Sequence, residues 1–190
     1  ILYEMGLIMG SSATTIFNNV RSINATYDQD FTPADKITKL TPGGRSYSEI
    51  VGSFRNSPEI STASLAVSYR SLVWKDEPFR DFVILEYKVK NTSASVIPDF
   101  HFGIFADWDI ALGGGNDRAS WDSETRLGYV FPGMPLNLPQ AGIQALNANA
   151  HYYAIDNDQT IPGNPFGIYD GFTDNEKFLT ISSGLSKIQA

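Results

Sequence analysis

The chain has no cysteine. That excludes disulfide staples, thiolate nucleophiles, iron–sulfur clusters and cysteine-ligated zinc. It does not fix a compartment, because 190 residues can hold an exported protein together by core burial alone. Histidine occurs only as His101 and His151. They are far apart in sequence, so neither has the nearby second histidine that zinc sites usually show, and both read as ordinary strand residues. Positive charge is also scarce: 14 Lys and Arg against 21 Asp and Glu leave a net charge of −7. That balance argues against a nucleic-acid binder and against docking on anionic membranes. No apolar run approaches the ~20 residues of a membrane span. There is no G-x-S-x-G nucleophile elbow, and Pro42-Gly43-Gly44-Arg45 lacks the Lys-Ser/Thr ending of a phosphate loop. Composition does not exclude a Ser-His-Asp triad assembled in space.

What the chain does have is apolar, aromatic and turn-forming. Hydrophobic residues make up 42% and aromatics 13%, with 16 Gly and 10 Pro spread along the sequence. The apolar share is enough for a core, and the punctuation is that of many short strands. The strongest local signal is residues 82–90, where Val83, Leu85, Tyr87 and Val89 alternate with Glu86, Lys88 and Lys90, the period of a half-buried strand. A turn-rich stretch follows. Then Phe100, Phe102, Ile104, Ala106, Trp108 and Ile110 share one face of a second run, so the two predict a hairpin of long strands. Further strands are predicted over 3–9, 14–21, 64–74, 127–131, 141–146 and 151–155. Residues 24–63 are polar and turn-rich and predict a long excursion with short strands at most.

One helix is predicted near the C-terminus. Thr173 and Glu176 form a capping box, Phe178, Ile181 and Leu185 fall at helical spacing, and Gly184 is placed to stop it. The pattern predicts an all-β fold: a large, mostly antiparallel β-sandwich with one short helix, forming a single domain over residues 1–190. The strands at the centre exceed the usual five or six residues, which favours large, supersandwich-like sheets over an immunoglobulin-like body. The opening apolar run, Ile1 to Met9, lacks a basic flank and a cleavage site, so it reads as a strand and not as a signal peptide. The chain reads as a piece of a longer polypeptide, with further strands expected after Ala190.

The segment 107–122 is the richest in oxygen ligands. Asp107 and Asp109 end a strand, three glycines let the chain turn back, and Asn116, Asp117 and Asp122 then stand where they would close around a structural Ca²⁺. The competing reading is an Asp/Asn/Gly turn whose carboxylates cap amides or pair with Arg118 and Arg126. Paired acids also serve glycoside hydrolysis, a use that turns rich in acids seldom have. Among the aromatics, Trp74 and Trp121 lie at strand or loop ends and are the candidates for stacking on a glycan; Trp108 belongs to an apolar face.

Residues 82–93 (FVILEYKVKNTS), 103–110 (GIFADWDI), 116–129 (NDRASWDSETRLGY), 151–157 (HYYAIDN) and 170–184 (DGFTDNEKFLTISSG), together with 4–11 (EMGLIMGS) and 28–32 (DQDFT), resemble a β-rich module of large secreted proteins of Bacteroidetes-type bacteria. In many of these it follows a subtilisin-like serine protease domain. The resemblance implies an exported, non-catalytic accessory region acting as spacer, stabiliser or substrate-docking surface beside adjacent domains of the same polypeptide. It supplies no catalytic residue: the subtilisin-like Asp-Ser/Thr-Gly, His-Gly-Ser/Thr-His and Gly-Thr-Ser motifs are not in this sequence. The alternative class is a carbohydrate-binding or carbohydrate-acting sandwich of the mutarotase-like kind. A third reading is self-association through open strand edges.

Overall fold

Alternating and doubly buried apolar runs become strands throughout the computed structural model. It describes residues 2–24, 26–57, 63–110, 116–133, 139–146, 149–155, 171–184 and 187–188. The fold is all-β and mostly antiparallel with one short helix near the C-terminus, the class predicted from the pattern. It divides into two compact units: Ile1–Asp28 with Phe100–Ala190, and Gln29–Asp99 inserted between them.

In the first unit, β1 (Leu2–Ser12) lies between β2 (Thr15–Asn18) and β7 (His101–Trp108), antiparallel to both. Leu7, Ile8 and Met9 are all buried. Both faces of β1 are therefore covered, which is why the opening run is continuously apolar and not alternating. Ile8, Ile16, Val20 and Phe172 form a core cluster, with Phe105, Phe178 and Ile181 packed against it. Phe178 and Ile181 come from α1 (Asp174–Ser182), which starts at the capping box on Thr173 and is followed by Gly184 at φ +64°, both as predicted. The Thr173 amide donates to Glu176 at 2.8 Å, and the Glu176 amide donates back to the Thr173 hydroxyl at 3.3 Å. A second antiparallel sheet of this unit runs β10 (Ala141–Gln144), β9 (Leu127–Pro132), β8 (Asp117–Asp122). β11 (Tyr153–Ala154) pairs in parallel with β12 (Lys187–Ile188).

The inserted unit is a four-stranded antiparallel meander: β3 (Phe31–Leu40), β4 (Ser48–Asn56), β5 (Leu65–Val73) and β6 (Val83–Asn91), in sequence order. Two expectations are corrected here. First, β6 and β7 are long strands but not a hairpin: β6 pairs with β5 over its whole length and β7 pairs with β1. Alternation predicts a strand without naming its partner. β5 offers β6 a matched stripe, Val67 opposite Val89 and Tyr69 opposite Tyr87, and so takes it. Second, residues 24–63 hold two long strands. β3 hides from a hydrophobic reading because nearly all of it is exposed, and β4 because it buries Ser48, Glu49 and Asn56 among its apolar positions.

The β1–β2 turn leaves no room at Gly10. A Cβ there would run into the Thr15 carbonyl oxygen and come within 2.8 Å of the Ile16 Cα, both backbone atoms that cannot swing aside. Gly10→Ala is expected to destabilise the protein by about 1–3 kcal/mol, read as a lower urea midpoint with an unchanged slope.

Candidate functional site

The acidic residues singled out by the sequence sit in different local settings. Asp107 is held by the guanidinium of Arg21, which also donates through Nε to Glu4 at 2.7 Å. The Arg21 amide donates to the other Glu4 oxygen at 2.7 Å. Burial works against the Arg21 charge, but the two carboxylates outweigh it and raise its pKa. Asp109 and Asn116 are exposed. Asp117 accepts from the Ile110 amide at 2.8 Å, while its second oxygen is buried without a partner. Residues 117–122 form β8 instead of closing a loop, so Asp122 stands about 16 Å along the strand from Asp117 and on the opposite face. There Asp122 accepts from the Thr125 hydroxyl at 2.7 Å and from the Glu124 amide at 2.9 Å. These bonds hold its carboxyl below the usual range. The competing turn-capping reading is thus realised at Asp122, and the partner of Asp107 is Arg21 rather than Arg118 or Arg126. Among the described residues no group of three His, Cys, Asp or Glu side chains gathers to hold a metal ion. The glycines at 113–115 lie outside the described residues.

The two tryptophans are placed differently from each other. Trp121 is half-buried and stacks on Tyr152 at 5.7 Å and 9°, Tyr152 itself lying over Gly128. One face of the Trp121 ring is therefore occupied. Trp74, at the end of β5, forms a three-ring cluster with Phe79 and Phe82: centroids lie 6.4, 5.7 and 6.0 Å apart. Phe79 is 49% exposed and Phe82 44%. Beside them Arg80 pairs with Glu77 at 2.6 Å, and Lys75 lies over the ring of Tyr47.

Sequence reading missed a row of rings on the inserted sheet. Phe31, Phe54, Tyr69 and Tyr87, one from each of β3 to β6, follow one another at 4.9, 6.2 and 6.3 Å. Tyr69 and Tyr87 sit on predicted strands, while Phe31 and Phe54 fall in the segment read as polar; only the register shows that the four adjoin. The Tyr69 ring lies down across its cross-strand neighbour Gly52, where a Cβ would be 2.6 Å from the phenol oxygen. On the other face of β4, the fully buried Glu49 accepts from the Arg45 amide at 2.5 Å and from Arg70 at 2.9 Å. In the first unit a shallow cleft of about 450 Å³ is lined by Asp122, Leu127, Tyr129, Gln140, Ala141 and Gly142.

A second missed cluster is buried. Lys177 of α1 is fully buried and donates to Asp28 at 2.6 Å and to Asn18 at 3.0 Å, while the Asn18 amide donates to Asp28 at 3.0 Å. Burial alone would raise the Asp28 carboxyl; hydrogen bonds from Lys177 and Asn18 and the ammonium charge outweigh it and hold it below the usual range. Asp174, desolvated and close to Asp28, moves the other way. The signal in the sequence was a lysine beside Phe178 and four residues before Ile181, inside the helix's apolar stripe. His101 packs edge-on to Phe178 at 5.8 Å, consistent with an ordinary strand residue.

Comparison with protein-family models, with curated proteins and with solved structures found no match to this chain.

Removing one partner of the buried pair leaves the other uncompensated. Asp28→Ala is expected to cost about 3–5 kcal/mol, and replacing Lys177 by Met in that background is expected to recover part of it. Because the folded pKa of Asp28 is depressed, its contribution is complete above the ordinary Asp value of about 3.9 and is lost as pH falls through the folded value. The stability gap between wild type and Asp28→Asn, from urea unfolding, should therefore narrow on acidification below about pH 4. With Asp107 and Asp122 held by protein partners, chelator is expected to leave the melting temperature unchanged. A Ca²⁺-dependent rise would restore the cation clip.

Proposed function

We propose that this chain is a non-catalytic accessory β-region of an exported multidomain protein, contributing a docking surface for an adjacent domain or a protein substrate. The protein it resembles in order of sequence blocks would make that neighbour a subtilisin-like protease. The observation that carries the reading is the Trp74, Phe79 and Phe82 cluster on the β5–β6 connection, hydrocarbon rings held half in water. Exposed contiguous apolar surface is costly unless something covers it. Among the charged neighbours, Glu77 pairs with Arg80 at 2.6 Å and Asp81 lies 3.6 Å from the same guanidinium. In the 107–122 segment Asp107 is bound to Arg21, Asp117 to a backbone amide and Asp122 to a turn, which suits a structural role for these three.

The row on β3 to β6 favours a second reading, a carbohydrate-binding surface. A tyrosine laid flat over glycine presents a ring face, the geometry on which a pyranose stacks.

Phe79→Ser with Phe82→Ser removes half-exposed rings and their contacts with Trp74, so the chain's own unfolding should shift by about 1–2 kcal/mol while the chain stays folded. In the multidomain protein the same pair is expected to shorten the half-life or weaken the substrate binding of the neighbouring domain. Identical half-life and binding would sink the docking role. Glycan-array binding abolished by Tyr69→Ala would move the assignment to the carbohydrate surface.

A further inference from the structure

The last strand of the inserted sheet carries a self-complementary sequence. β6 spans nine residues, Val83–Asn91, with Tyr87 at its midpoint. It pairs along one side with β5 and ends the sheet. Val83, Leu85, Lys88, Lys90 and Asn91 are exposed. We infer that β6 is a dimerisation edge at which two copies of this chain pair antiparallel about a two-fold axis through Tyr87.

A two-fold axis perpendicular to a sheet keeps each face continuous, so every residue must meet one of its own parity. With the axis on Tyr87, Glu86 stands opposite Lys88 of the second copy, and Lys88 opposite its Glu86. Leu85 meets Val89, Val83 meets Asn91 and Ile84 meets Lys90, and all nine positions find a partner. Opposite charges facing each other across strands stabilise the pairing, and like charges oppose it. The neighbouring registers of the same parity fail this test. An axis on Glu86 or Lys88 sets like charges face to face. One on Val89 sets Lys88 against Lys90, and one on Leu85 pairs barely half of the strand. Registers of the other parity lay the apolar face of one sheet beside the charged face of the next.

The flanking groups are already arranged for it. Both guanidinium nitrogens of Arg45 donate to Glu86, at 2.6 and 2.7 Å. The carboxylate is thereby ordered on its face of the sheet, with Arg70 of β5 opposite it on the inner side. On the other face Val83 is 54% exposed and Leu85 37%, apolar side chains on a strand that ends its sheet; the second copy places Val89 against Leu85. Edge lysines ordinarily deter such pairing. In this register Lys88 is an attractive contact because its counterpart is Glu86. This inference stands apart from the docking role, which rests on a different segment.

The absence of cysteine makes the register readable. Residues directly opposite across an antiparallel pair have Cα atoms about 4.5–5.5 Å apart, within the reach of a disulfide. Tyr87→Cys is expected to give a covalent dimer under mild oxidation. Leu85→Cys, whose copies would lie about 13 Å apart along the strands, is expected to give none. Independently, Lys88→Glu and Glu86→Lys should each weaken self-association at least about tenfold in sedimentation. Mixing the two variants should restore a heterodimer, since each supplies the charge the other lost. The inference is overturned if wild type stays monomeric across a concentration series, if the mixture is no more associated than its parts, or if Leu85→Cys cross-links as readily as Tyr87→Cys.

Discussion

The first unit depends on one buried charge. The Lys177 side chain has no access to water, and such a polar end is tolerated there only with partners that replace its hydration. Those partners, Asn18 and Asp28, lie 159 and 149 positions earlier in the chain. Satisfying them fixes three things together: the face that α1 turns inward, the position of β2, and the point at which the chain leaves for the inserted unit. Phe178 and Ile181 then meet Ile8, Ile16 and Val20. The apolar packing supplies most of the driving force, while the polar clasp ties α1 to β2 and to Asp28. Arg21 repeats the device on a smaller scale, joining Glu4 and Asp107 across β1 and β7.

The inserted unit follows a different logic. Its four strands bury little on β3 but bury Leu65, Val67 and Leu72 on β5, and cross-strand contacts add aromatic neighbours on one face and the Glu49, Arg45 and Arg70 cluster on the other. Gly52 belongs to the same design. By giving up its own side chain it lets Tyr69 cover the backbone of β4, so a residue that weakens a strand in isolation makes room for a larger contact.

Much of this architecture was legible in the sequence. Period-two runs located β5, β6, β7 and β9, and the capping box located the start of α1, because these signals are local. What escaped were properties of pairing. β3 and β4 were hidden because an exposed strand and a strand with a buried carboxylate both break the alternation that a reader looks for. The partner of β6 was misjudged because a strand's pattern does not name its neighbour. The same limit applied to the acidic segment. Asp117 and Asp122 look like one loop in sequence, but an intervening strand carries them to opposite ends and opposite faces. Of the ring row, only Tyr69 and Tyr87 stood on strands legible in the sequence; Phe31 and Phe54 lay in the stretch read as polar.

The two margins of the inserted sheet are unlike. β3 carries Pro33, which has no amide hydrogen to offer, and its ladder with β4 breaks register on both sides of Asp35. Such a border cannot template a further strand. Growth from this sheet is consequently one-directional. Any strand added to it must arrive at the β6 border, so a mate joined there would leave this sheet no second border to extend.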